Sequence, residues 1–207
     1  MSRTAYICIP GIMANPSWQD GWTDRAVEWI HDAGNAGETA EKFEYYASFW
    51  GRRLGQAKRA TSLATLLNKR LNRRVVLTGH SNGTDIICRA LAQGAHAAVV
   101  NLVAPACERD FWRNGLNEAL RQRRVEKVNV WISGHDVPMK LALWSKRLLG
   151  WAGLGYGTLG IDGPANIAAD VHPNVNIITK PDWQHGTYWL PEFFDPFMRE
   201  LYDESQP

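Results

Sequence analysis

The chain has 207 residues, 45% hydrophobic and 21% charged, with 23 basic residues against 21 acidic for a formal charge of +2. That length fits one domain, 1–207, with a full core, and the composition excludes a disordered or fibrous chain. The near-balance of charge offers no electrostatic ground for a nucleic-acid partner, and no uninterrupted apolar stretch is long enough for stable membrane insertion.

In chain order, the first predicted strand, 5–10, runs into the loop Pro10-Gly11-Ile12-Met13. Its apolar run is too short for a signal-peptide core and is broken by Pro10-Gly11, so a cytoplasmic location is expected. A helix-like segment at 18–31 leads to strand 43–49, helix 54–71 and strand 74–79. Beyond these come helix 82–93, strand 98–103, helix 109–123, strand 127–133, helix 139–149, strand 175–179 and helix 191–202. The strands are apolar on both sides of their alternation, as when helices cover both faces of a parallel sheet. The expected class is therefore α/β: a three-layer sandwich whose six-stranded parallel sheet carries helices on both faces.

The long connection 137–174 holds a helix followed by the Gly-rich run 150–157. Leu141, Trp144, Leu148 and Trp151 fall on one helical stripe, which suits a helix packed on the sheet or, alternatively, a lid near the active-site edge. Cys8, Cys88 and Cys107 sit in apolar settings and read as small core residues rather than a disulfide framework. The basic pairs Arg52-Arg53, Lys69-Arg70, Arg73-Arg74 and Arg123-Arg124 read as solvated faces and ends of helices.

The chemistry centres on Gly79-His80-Ser81-Asn82-Gly83, where a β-branched strand turns directly into a helix. Such a corner strains its central residue and lifts that side chain above the carboxyl end of the sheet, while small residues two before and two after let the backbones approach. Ser81 is the candidate nucleophile.

A serine hydroxyl needs a base and a group that orients the base. His185, in the loop after the last predicted strand, and Asp136, after the fifth, lie at the same sheet edge. His80 should point into the core, His172 precedes the last strand at the opposite edge, and His135 could support the acid. Asp110 is the chief rival to Asp136; Glu108 and Asp182 are weaker rivals. Backbone donors for an oxyanion are expected from Asn82 and from Ile12, with Met13 as the alternative. Met13, Trp18, Trp22, Trp151 and Trp183 are candidate pocket residues, although scaffold packing explains many of the ten tryptophans as well.

With Gly79-His80-Ser81-Asn82-Gly83, then Asp136, then His185, the chain resembles the α/β-hydrolase superfamily, whose partners follow in the order nucleophile, acid, histidine. The resemblance covers essentially the whole chain and implies a minimal member, similar in scale to small esterases and lipases, with sheet order 2-1-3-4-5-6. It implies a catalytic triad of Ser81, Asp136 and His185, an oxyanion hole of Ile12 and Asn82, and a small-molecule acyl ester as substrate, with no metal or cofactor. Pro10-Gly11 stands where the family usually has His-Gly, which removes a side chain that often braces the oxyanion loop. A thioesterase or acyltransferase would use the same machinery, and a non-catalytic binding protein would keep the fold without turnover.

Overall fold

Apolar strands with no polar face must be covered on both sides, and parallel strands joined by helical crossovers provide that cover. The computed structural model describes residues 4–11, 21–45, 52–137, 140 and 157–207. Strands β1 (Thr4–Ile9), β2 (Thr39–Lys42), β3 (Arg74–His80), β4 (Ala97–Val103), β5 (Val125–Ser133) and β6 (Val175–Lys180) form one all-parallel sheet, ordered β2-β1-β3-β4-β5-β6. This is the expected six-stranded order.

The alternation of each strand divides its side chains between two cores. Ile7, Ile9, Leu77, Val100, Leu102, Val128 and Val130 face α2 (Arg52–Asn68), α3 (Asn82–Ala92) and α4 (Leu116–Arg121). On the other face Tyr6, Cys8, Val76, Val99 and Trp131 meet α1 (Trp22–Ala33) and α5 (Pro191–Glu204). The helices present apolar stripes at helical spacing: Trp22, Ala26 and Ile30 on α1, Phe194, Phe197, Met198 and Leu201 on α5. Burying one such large side chain contributes about 1.5–3 kcal/mol. All three cysteines are buried and free. Among the described residues no helix is long and apolar enough to cross a membrane.

A polar seam crosses the second core. Asn101 Nδ2 donates to Ser205 Oγ at 2.8 Å and Thr78 Oγ1 at 3.2 Å, and Asn129 Nδ2 donates to Asn101 Oδ1 at 2.9 Å. Buried amides need such partners, and here they tie the residue that ends α5 to the middle of the sheet.

Two expectations change in substance. The second strand is Thr39–Lys42, not 43–49; it is an edge strand with half-buried faces, so it carries little hydrophobic signal. Phe43 and Tyr45 lie beyond it and pack on the first core, while residues 46–49 are outside the described residues. The fourth helix shrinks from 109–123 to Leu116–Arg121 because polar side chains hold the segment before it in turns. Asp110 Oδ1 accepts from the amides of Trp112 and Arg113, Asn114 Oδ1 accepts from the Leu116 amide, and Gly115 is left-handed at φ 85°. Of the predicted helix 139–149 only Lys140 is described, and of the run 150–157 only Gly157. Gly157 packs so tightly behind the β4 loop that a Cβ there would lie 1.8 Å from the Cys107 carbonyl oxygen.

Candidate active site

The sharp turn from β3 into α3 puts Ser81 at φ 53°, ψ −119°, a region that costs a non-glycine residue about 1–3 kcal/mol and survives only where surrounding contacts over-determine it. Those contacts are present. The Ser81 amide donates to the Val103 carbonyl at 3.0 Å, and the Ser81 carbonyl accepts from Thr84 N, Thr84 Oγ1 and Ala106 N at 3.1, 2.6 and 3.3 Å. The flanking glycines are required by space: a Cβ on Gly79 would meet Ile87 Cδ1 at 2.6 Å, and one on Gly83 would meet the Ile9 carbonyl oxygen at 2.5 Å. Ser81 is 8% exposed, and its Oγ makes no hydrogen bond to a described residue.

Two further loops meet at this edge. His185 Nδ1 lies 2.7 Å from Asp136 Oδ2, and the Asp136 side chain is fully buried. A buried carboxylate accepting from Nδ1–H fixes the tautomer in which Nε2 carries the lone pair. The loops that carry the two residues are stitched together. Gly134 N donates to the Lys180 carbonyl at 3.0 Å, His135 N to the Trp183 carbonyl at 3.1 Å, and the His135 ring, through Nδ1, to the Pro181 carbonyl at 2.8 Å. A Cβ on Gly134 would sit 2.1 Å from the Pro181 carbonyl oxygen, so only glycine allows this approach.

His80 links the elbow to that pair. It is 1% exposed, its ring centroid lies 4.8 Å from that of His185, and its Nε2–H donates to the His185 carbonyl at 2.9 Å. Burial first, and the neighbouring His185 imidazole second, push the His80 imidazole down to about 3, so it stays neutral. Trp189 and Trp22 close around it edge-on, with ring centroids at 5.4 and 6.3 Å.

No protein-family model matches the chain, and no curated protein matches it by sequence. Solved structures do. A putative hydrolase of the alpha/beta superfamily from Xanthomonas campestris superposes with TM-score 0.55 at 15% identity over 98% of this chain and 99% of that one. The fold is that of the α/β-hydrolases. An esterase from Pyrococcus furiosus shares it with TM-score 0.57 at 11% identity, over 98% of this chain and 80% of the other. An uncharacterized protein from Bacillus cereus aligns with TM-score 0.61 at 12% identity over 99% of this chain; the chain spans only 58% of that protein's length.

Within this α/β-hydrolase fold, Asn82 opens α3, so its N–H points out of the helix end beside Ser81. Gly11 closes in from the β1 loop, where a Cβ would lie 3.1 Å from that of Ser81. Ile12, Met13, Trp18 and Trp151 lie outside the described residues. Trp22 is buried in the second core, stacked on Trp189 at 4.0 Å, so its described contacts are scaffold contacts rather than pocket walls. Trp183 packs against Tyr188 and Phe193 at 5.0 and 5.2 Å on the α5 side. Asp110 is engaged elsewhere, with Asn166 Nδ2 donating to its Oδ2 at 2.7 Å, and this bond foremost holds its carboxyl below the usual range.

Sequence reasoning assigned His80 to the core but missed its bond to the His185 loop. It also missed Tyr45 and Gln56, which reach the site from segments with no motif of their own. Tyr45 Oη donates to the Pro10 carbonyl at 2.5 Å, and Gln56 Nε2 to Asn82 Oδ1 at 2.8 Å. The only advance signal was the need to brace a loop that lacks the usual histidine.

Proposed function

We propose that the chain hydrolyses carboxylic esters through an acyl-enzyme, with Ser81 as nucleophile, His185 as base and Asp136 as its orienting acid. The observation that carries this reading is the closed His185–Asp136 pair at 2.7 Å, alongside a strained strand-to-helix corner at Ser81. With Nδ1–H committed to Asp136, His185 Nε2 is the nitrogen able to take the Ser81 proton as Oγ attacks the ester carbonyl. The buried Asp136 carboxylate then stabilises the imidazolium, and a neutral His80 at ring distance adds no opposing charge.

The amides of Ile12 and Asn82 serve as oxyanion donors, each worth about 3 kcal/mol or 10² to 10³ in rate. His185 protonates the leaving alcohol. Water then enters, gives its proton to the same nitrogen and attacks the acyl-enzyme, releasing the carboxylic acid and Ser81. No step calls on a cofactor or metal.

A fluorophosphonate probe on the folded protein tests the reading, together with p-nitrophenyl esters of graded chain length and matched acyl-CoA thioesters. A Ser81 adduct and ester turnover lost in Ser81→Ala are expected. Neither adduct nor turnover would indicate a binding protein, and turnover confined to thioesters would move the assignment to a thioesterase.

A further inference from the structure

A directed chain of hydrogen bonds runs beneath the two segments to which the proposed oxyanion donors belong. Arg59 donates through Nη1 to Gln56 Oε1 at 3.2 Å, Gln56 Nε2 to Asn82 Oδ1 at 2.8 Å, Asn82 Nδ2 to Tyr45 Oη at 3.4 Å, and Tyr45 Oη to the Pro10 carbonyl at 2.5 Å. The polarity is fixed at both ends, because a guanidinium can only donate and a carbonyl can only accept. Each amide in between therefore has one possible orientation, and bonds aligned head to tail strengthen one another. Gln56 Nε2 also donates to Asp85 Oδ2 at 2.9 Å, which fixes its amide from a second side. Asn82 is wholly buried and Gln56 nearly so.

Tyr45 is where the two segments join. Its single proton goes to the Pro10 carbonyl, with the Gly11 carbonyl oxygen at 3.5 Å taking at most the weak branch. Its oxygen accepts from Asn82, whose backbone N–H is one proposed donor. The Gly11 carbonyl belongs to the same peptide unit as the Ile12 N–H, the other proposed donor, and Pro10-Gly11 is the described part of the loop that Tyr45 holds. The approach is close throughout: a Cβ on Gly83 would lie 2.7 Å from the Pro10 carbonyl oxygen.

We propose that Tyr45 is a positioning residue for the oxyanion site, bracing from the chain after β2 the loop that Pro10 leaves without its customary side chain. The inference rests on the ester-hydrolase reading. Tyr45 touches neither Ser81 nor the His185–Asp136 pair by any described hydrogen bond, so its effect falls on oxyanion stabilisation rather than on proton transfer. Loosening the loop costs less than deleting a donor, which is about 10² to 10³ in rate.

Tyr45→Phe removes only the hydroxyl and keeps the ring that lies 5.4 Å from the Arg59 guanidinium carbon. With active sites counted by fluorophosphonate titration, kcat should fall about tenfold to a hundredfold while KM stays within about threefold. Affinity for a trifluoromethyl ketone, which forms an oxyanion on Ser81, should fall in parallel, and the midpoint of the pH profile should not move. Gln56→Leu, which cuts the chain one bond earlier, should shift kcat in the same direction and serves if Tyr45→Phe does not fold. An active wild type whose folded variants keep kcat within twofold, or lose it only through fewer titratable sites, overturns the proposal alone. A wild type that neither labels nor turns over ester overturns the hydrolase reading, and this inference with it.

Discussion

The neutral His80 has a measurable consequence for stability. Unfolded, its imidazole titrates near 6.5; folded, burial and His185 lower that to about 3. Between these values the unfolded chain binds a proton that the folded chain refuses, so the contribution of His80 to stability is constant above pH 6.5 and is lost as pH falls toward 3. The slope is about 1.4 kcal/mol per pH unit. At pH 5 the loss is therefore about 1.5 × 1.4, or roughly 2 kcal/mol. That figure depends on the unfolded value alone, provided the folded value stays well below 5. The assay is urea unfolding of wild type and His80→Gln at pH 7.5 and pH 5, which cancels every titration the two share. Wild type should lose about 2 kcal/mol more than the variant over this interval. Equal losses would refute the reasoning, because they would mean that His80 accepts a proton in the folded protein.

Other perturbations separate the roles of nearby residues. His185→Ala should abolish ester turnover with the fold retained by circular dichroism, and residual turnover at the wild-type rate would reassign the base. Asp136→Asn should lower kcat by about 10³ to 10⁴, as expected when the base loses its tautomer, whereas Asp110→Asn should leave kcat unchanged in steady-state assays. Gly134→Ala drives a methyl into the Pro181 carbonyl, so both the thermal midpoint and kcat should fall together in parallel melting and activity measurements. Asn101→Leu removes the three bonds of the polar seam, at about 0.5–1.5 kcal/mol for each, read by chemical unfolding; the Asn129 amide keeps the Glu204 carbonyl and the Ser205 hydroxyl keeps the Leu201 carbonyl, so neither is stranded.

The layer order of this protein was legible because its central strands are buried on both faces, which writes mostly apolar runs into 74–79, 98–103 and 127–133, interrupted at Thr78, Asn101 and Asn129. The edge strand escaped the same reading. Thr39–Lys42 has one neighbour and half-buried faces, so Thr-Ala-Glu-Lys satisfies it, while Phe43 and Tyr45 carry the aromatic signal just beyond the strand. The turn-rich segment at 109–115 was misread as helix because its Asp and Asn side chains capture backbone amides locally, a competition that periodicity does not register. At the candidate site, the His185–Asp136 pair and the strained corner at Ser81 lie where a strand end or a motif announced those residues. Tyr45 and Gln56 were not announced, because their significance comes from which segments the fold brings beside them.

That division reflects how the strain at Ser81 is distributed. A corner held at φ 53° by its own hydrogen bonds would still leave the His185 loop free to drift. The residue before the corner prevents this, because the chain that forces Ser81 upward turns His80 downward, where its Nε2–H meets the His185 carbonyl. The same turn thus places the proposed nucleophile at the strained corner and the tether of its proposed base in the core beside it. A change at His80 that keeps the volume but removes the donor, such as His80→Met, should therefore leave fluorophosphonate labelling slower rather than absent. Labelling at the wild-type rate would show that Asp136 and the stitched loop at Gly134 hold His185 without help.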